Sequence, residues 1–265
     1  MHNDDSSHRA RVDYLFHRFI KEVRNDIPPD LSVNILESLR DLLSIDVQIP
    51  EPDDADLDPL SEAVKDTSFD SQLYLYETAG ILSSLLSKNH EQQTSVLLSL
   101  VKPLMEGLSE NFQSFNSKGP EDIVPIVKVH HIIMALGNIA KGFPDYPAVI
   151  PERHVFPPLD VFAEMAQAIL VCLKAMNTLK VIRDAVSAKF PMSYGMMTLF
   201  AQTRFAFARI LATAGARVTE FIPVLMAALL AHFEPTELID FMNLIGLSIH
   251  KLQVRSLPHD YNYSF

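Results

Sequence analysis

The sequence predicts an all-α protein, a stacked array of about five antiparallel helix pairs, on three observations. Apolar residues recur at helical spacing over nearly the whole chain. No segment sustains a period of two, no Asn-Gly or Asp-Gly hairpin signal occurs, and only 8 glycines punctuate the 265 residues. That is too few for the many tight turns of a sandwich or barrel. The helical segments pair up about every 45–50 residues, within reach of the HEAT period. A HEAT-repeat-like α-solenoid is the expected architecture, and a compact helical bundle is the alternative.

The elements follow in order. Val12, Leu15, Phe16, Phe19, Ile20 and Val23 make one helical face over 9–24. Pro28-Pro29-Asp30 opens a second helix over 31–44, with Asp30 as the expected N-cap. Residues 45–69 hold Pro50, Pro52 and Pro59 and are densely acidic, so an exposed insertion loop is expected there. Helical spacing resumes over 70–87, 90–116 and 120–141, where Lys141-Gly142 is a stop signal. A proline-containing loop over 143–156 leads to helices over 158–177, 179–189, 193–214, 217–232 and 235–252. Pro103, Pro125 and Pro223 fall inside helical patterns and are expected as kinks, which suits a solenoid better than a straight coiled coil. The last helix has a broad apolar face of Leu238, Phe241, Met242, Ile245, Ile249 and Leu252. The tail after it is too short and polar to cover that face. The chain therefore reads as one solenoid segment over 1–265, an uncapped piece of a longer array, with a disordered tail at 254–265.

Composition narrows the function. Hydrophobic residues make up 48 %, enough to build a core. The single cysteine, Cys172, cannot form an intramolecular disulfide and reads as a small buried apolar residue. The N-terminus lacks the basic and apolar regions of a signal peptide, and Phe221–Ala231 is too short to span a bilayer, so a soluble chain without membrane contact is expected. No catalytic constellation stands out. His130 and His131 are neighbours on a helix and point about 100° apart, which rules out a shared metal. His90-Glu91 lacks a zincin's second histidine, and phosphate-binding glycine loops and a nucleophile elbow are missing. No enzyme activity, cofactor or metal is expected. Met192, Met196 and Met197 read as core filling.

Charge is unevenly spread within the formal −11. Residues 1–120 carry 10 Lys/Arg against 21 Asp/Glu, whereas residues 121–265 carry 12 of each. The 174–217 stretch holds Lys174, Lys180, Arg183, Lys189, Arg204, Arg209 and Arg217 against the single acid Asp184. On charge alone these seven are the candidate phosphate contacts, because folded RNA is read mostly through shape and backbone. Tyr194, Phe205 and Phe207 could stack on bases, but their helical spacing favours core packing. The acidic insertion could contact a basic partner or compete with nucleic acid for a basic groove.

Four blocks carry a resemblance. Asp13-Tyr14-Leu15-Phe16-His17-Arg18-Phe19-Ile20-Lys21, with Ile35-Leu36 and Leu39-Arg40-Asp41-Leu42-Leu43, is the first. Gln72-Leu73-Tyr74-Leu75-Tyr76-Glu77-Thr78-Ala79-Gly80-Ile81-Leu82 is the second, Thr203-Arg204-Phe205-Ala206-Phe207-Ala208-Arg209-Ile210-Leu211 the third, and Pro235-Thr236-Glu237-Leu238-Ile239-Asp240-Phe241 with His250-Lys251 the fourth. In this order they resemble the central part of exportin-T, the karyopherin-β family of nuclear tRNA exporters, in its fungal form. The resemblance implies a HEAT solenoid that binds tRNA cooperatively with Ran-GTP. It also implies passage through the nuclear pore against its pore proteins, and shuttling between nucleus and cytoplasm. The family's Ran-binding arch would precede Met1, and its C-terminal arch would follow Phe265. A HEAT-type protein scaffold without RNA binding is the alternative function.

Overall fold

The computed structural model describes residues 2–47, 49, 58–64, 67–118, 122–147, 149–186, 194–231, 235 and 238–253. Among them every regular element is helical: α1 (His2–Val23), α2 (Pro29–Leu39), α3 (Pro59–Ala63), α4 (Thr67–Ser84), α5 (His90–Lys118), α6 (Val124–Gly142), α7 (Leu159–Val186), α8 (Tyr194–Ala214), α9 (Ile222–Leu230) and α10 (Leu238–Gln253). The all-α, solenoid-like reading holds.

The helices form two layers. Contacts between α1 and α4 advance together along both chains: Ser71 donates to Asp13, Tyr14 meets the Tyr74 ring edge, and His17 reaches Thr78. These two helices are therefore parallel. The same order links α4 to α6, where Phe69 stacks on His131 and, farther along, Gly80 abuts Gly142. It links α6 to α8 through Gly137 against Ala206 and then Ala140 accepting from Thr213. It continues to α10, where Arg204 meets Asp240 before Ala208 shares a cleft with Leu247. So α1, α4, α6, α8 and α10 run parallel in one layer. Behind them, α2 flanks a cleft shared with α5, α5 packs on α7, and Asn177 of α7 donates to the Ala228 carbonyl of α9. The return helices α5 and α7 each contact both of the front helices they connect, the pairing that short connections favour.

Close backbone approach holds the front layer together. A Cβ on Gly80 would collide with the Ile139 carbonyl oxygen, and one on Gly137 would meet Ala206 Cα at 2.8 Å. α6 lies at the middle of this layer and is buried from Pro125 to Ala140 except at Lys128. The core divides accordingly. A main cluster runs from α4 through α8 and beyond, and a smaller one, with Ile20, Leu36, Leu39, Leu75, Ala79 and Leu82, lies beneath α1 and α2.

Several expectations need correction. Residues 45–69 are not uniformly exposed. Ile45, Val47 and Ile49 pack against the main core, and Leu60 of α3 is fully buried. Asp58 caps α3, accepting from the Ser61 amide (3.2 Å) and hydroxyl (2.7 Å), and α3 packs on α8. The acids at 51–57 lie outside the described residues, as do the tail at 254–265 and Met192. Asp30 is not the N-cap of α2. Pro28 takes that place in extended geometry, and Asp30 sits within the first turn. Pro125 and Pro223 stand in the first turns of α6 and α9, where the missing N–H costs nothing, so of these three prolines Pro103 alone lies inside its helix. The two helices expected over 158–177 and 179–189 are continuous through Val186. The segment expected at 217–232 is instead a 3-10 stretch, Gly215–Phe221, followed by α9; Gly215 has φ 53°, which only glycine adopts freely.

The run Thr198–Leu230 reaches the length and apolarity of a membrane-crossing helix. It breaks at Gly215, and its apolar side chains pack against α6, α7 and α10. Apolar side chains do reach the surface at both ends of the array. Val12, Leu15 and Phe19 are exposed on α1, and Ile239, Met242 and Ile249 on α10, whereas Phe241 and Leu244 of α10 are buried against the core.

Candidate nucleic-acid interface

Of the seven sequence-chosen cations, the fold distributes the four described ones over different surfaces. Lys174 is exposed on α7 in the rear layer, beside a shallow cleft with Asn177 and Pro223. Arg217 is exposed at the turn between α8 and α9. Its Nε donates to Asp160 at 2.8 Å and its Nη1 to Glu220 at 3.3 Å, and both contacts hold its pKa above the usual value. Arg204 is buried, with one Nη2 atom 3.4 Å from Asp240. It joins α8 to α10. Arg209 is half-buried. Counted by helical turn, Gln202, Phe205 and Arg209 occupy one row between the side of α8 that meets α6 and the side that meets α10. That row looks forward, away from the rear layer. Lys189 and the side chains of Lys180 and Arg183 lie outside the described residues. Of the four described cations, Arg209 alone faces forward. Phe205 is half-buried beside it, Phe207 is fully buried, and the side chain of Tyr194 is not described.

Histidine and cysteine chemistry resolves into packing. His130 and His131 are both buried on α6, with ring centroids 5.4 Å apart, and His131 stacks on Phe69 at 3.7 Å. Burial, helped by His131, pushes the His130 imidazole down to about 3. Cys172 is buried in α7, and desolvation pushes its thiol up to about 12, out of range for nucleophilic chemistry. Among the described residues, no group of three or more His, Cys, Asp or Glu side chains is placed to hold a metal ion.

Sequence reasoning missed an ionic hub. Glu77, buried on α4, receives Lys141 of α6 at 2.6 Å and Lys21 of α1 at 3.3 Å, with His17 Nε2 at 3.7 Å. One carboxylate thus ties three helices of the front layer. Desolvation raises the Glu77 pKa, but the hydrogen bond from Lys141 and the surrounding charges outweigh it, so the net shift is downward. His17 is lowered by burial, partly opposed by Glu77. The signal was present in two of the quoted blocks, since His17 and Lys21 share one helical face and Glu77 stands in the middle of the second block. Only the fold shows that they meet.

Glu77→Gln keeps the side-chain shape and removes the charge. A loss of about 1–2 kcal/mol is expected at pH 7, because Lys21 and Lys141 are partly exposed and can turn to solvent. A carboxylate whose folded pKa is depressed stabilises above its unfolded value, and that contribution fades as pH falls through the folded value. The variant should therefore show a shallower loss of stability below about pH 4.5. Urea titrations at pH 7 and pH 4 check both points, and equal midpoints for variant and wild type at pH 7 would remove the hub's stabilising role.

Comparison with known proteins matches the sequence of this chain to one family. The Exportin-T family model matches residues 1–257. Exportin-T from Laccaria bicolor is 64 % identical over 253 residues, covering 96 % of this chain. Exportin-T from Coprinopsis cinerea is 58 % identical over 254 residues, again 96 % of the chain, and that from Mycosarcoma maydis is 35 % identical over 264 residues, 97 % of the chain. The chain spans 22 % of the length of each of these relatives. Similar in sequence to these proteins along nearly its full length, this chain belongs to the exportin-T family.

Proposed function

We propose that this chain forms part of the wall of a tRNA nuclear export receptor, which binds tRNA cooperatively with Ran-GTP and shuttles between nucleus and cytoplasm through contacts with pore proteins. The observation that carries this reading is family membership along the entire helical array. The work of such a segment is binding, without catalysis, a cofactor or a metal. Linkage supplies the directionality: if Ran-GTP and tRNA each favour the same state of the receptor, each tightens the other, and GTP hydrolysis releases both.

Within the seven-cation set, phosphate contact is assigned to Lys174, Lys180, Arg183 and Lys189, together with forward-facing Arg209. Arg204 and Arg217 belong to the same basic stretch, but their ion pairs with Asp240, Asp160 and Glu220 give them a bracing role first.

Electrophoretic shift with folded tRNA, with and without Ran-GTP, tests the reading on the whole receptor that contains this chain. Tighter tRNA binding with Ran-GTP is the expected result. No binding under either condition overturns it and leaves a HEAT-type protein scaffold. Replacing Lys180, Arg183 and Lys189 with glutamine is expected to weaken binding about tenfold or more and to flatten its salt dependence. Unchanged affinity would remove these three from the site.

A further inference from the structure

The forward face of α1 carries a row of cations inside the half of the chain that is acidic on average. Arg11, Tyr14, Arg18 and Lys21 stand at i, i+3, i+7 and i+10, so they line one side of the helix. The other sides are already assigned. Asp13 and His17 face α4, Val12 and Phe16 line a groove with α2, and Leu15 and Phe19 are exposed at the end of the array. The row therefore looks forward from the front layer, away from α2.

Arg11 and Arg18 are exposed, and among the described residues no ion pair holds either of them. Lys21 continues the row, and Lys141 of α6 joins it at Glu77. Two lysines on one carboxylate leave a net positive charge there. Over residues 11–22 the side of α1 that carries the row holds Arg11, Arg18 and Lys21 against Glu22 at its end. Tyr14 and Tyr74 meet edge to face at 5.3 Å beside these cations, with 41 % and 36 % of their surfaces exposed.

We propose that this row is a docking surface for the phosphodiester backbone of a folded RNA, separate from the 174–217 set. Arg11 and Arg18 lie roughly 10 Å apart along the helix, and Lys21 about 4.5 Å farther, which spans a few successive phosphates. Guanidinium groups bind phosphate oxygens in a bidentate fork. The paired tyrosines add hydroxyl donors and ring faces for ribose and base, which an acidic peptide would not need. For the identity of the polyanion as RNA, the inference rests on the export-receptor reading above.

The test uses the whole receptor with Arg11→Gln and Arg18→Gln together, and with Lys102→Gln as the control. Lys102 is exposed on α5 in the rear layer. Folded tRNA and a polyglutamate peptide are the probes, each titrated at several salt concentrations. The double variant is expected to bind tRNA about tenfold more weakly, with a slope of log affinity against log salt shallower by about 1.5, while the control stays at the wild-type value. The thermal midpoint should not move, since both arginines are exposed. Wild-type affinity and slope in the double variant would overturn the docking row while leaving the receptor reading intact. Loss of polyglutamate binding with tRNA binding unchanged would overturn it in favour of an acidic protein partner. A wild-type receptor that binds no tRNA would overturn the receptor reading itself, and with it the RNA assignment.

Discussion

Gly80→Ala is expected to cost about 3 kcal/mol or more of stability, although alanine favours a helix over glycine by about 1 kcal/mol. The new Cβ would overlap the Ile139 carbonyl oxygen and stand 3.1 Å from Gly142 Cα. All the obstructing atoms are backbone, so no rotamer change relieves the clash. The α4–α6 crossing would have to open, and that crossing joins the small core cluster to the main one. Gly246 of α10 supplies the control, because a Cβ there meets nothing within 4 Å. Gly246→Ala should therefore gain about 0.5–1 kcal/mol. Urea midpoints of the two variants should move in opposite directions. If both rise, the close approach of α4 and α6 is not required by the fold.

His130→Leu is expected to remove a large part of the acid sensitivity. The imidazole titrates near 3 in the folded protein and near 6.5 when unfolded. Its folded pKa is depressed, so its contribution is fully present above about pH 6.5. It declines by about 1.4 kcal/mol per pH unit as pH falls toward 3, because the unfolded chain takes up the proton first. Between pH 7.5 and pH 5 this amounts to about 2 kcal/mol. Neither ring nitrogen has a protein hydrogen-bond partner among the described residues, so leucine should be tolerated within about 1 kcal/mol at pH 7.5. The wild type should lose about 2 kcal/mol more than the variant on moving to pH 5. His17 titrates in the same direction and keeps a residual slope in both proteins. Parallel pH profiles would show that His130 is not the group responsible.

The helices were legible because burial on one side leaves a 3.6-residue period whatever the neighbour is. The layer order was not, because it depends on which buried faces meet. His17, Glu77 and Lys141 give no sign in sequence that they converge. The insertion was misread for a different reason. Its acids dominate the composition and hide Ile45, Val47 and Ile49, which pack against the main core. The prolines misled where position within the turn mattered: Pro125 and Pro223 stand directly after the first residues of their helices, Val124 and Ile222, where no intrahelical N–H is required. Charge counting found a basic stretch but could not separate a cation turned outward from one held by a partner. Arg204 meets an acid 36 residues away on another helix, and Arg217 one that is 57 away. The same averaging concealed Arg11 and Arg18 inside an acidic half.

The parallel order of α1, α4, α6, α8 and α10 also gives the front layer an electrical polarity. Each helix carries a macrodipole equivalent to roughly half a positive charge at its N-terminus and half a negative charge at its C-terminus. Within a layer of antiparallel neighbours these would alternate; along this front layer five point the same way, opposed only by the helices behind them. One edge of the layer collects amide donors and the opposite edge collects carbonyls. Lys21 and Lys141 occupy the last turns of α1 and α6, at the carbonyl edge, and converge on the buried Glu77. The hub thus places its two lysines where the aligned helix ends would otherwise repel an approaching anion.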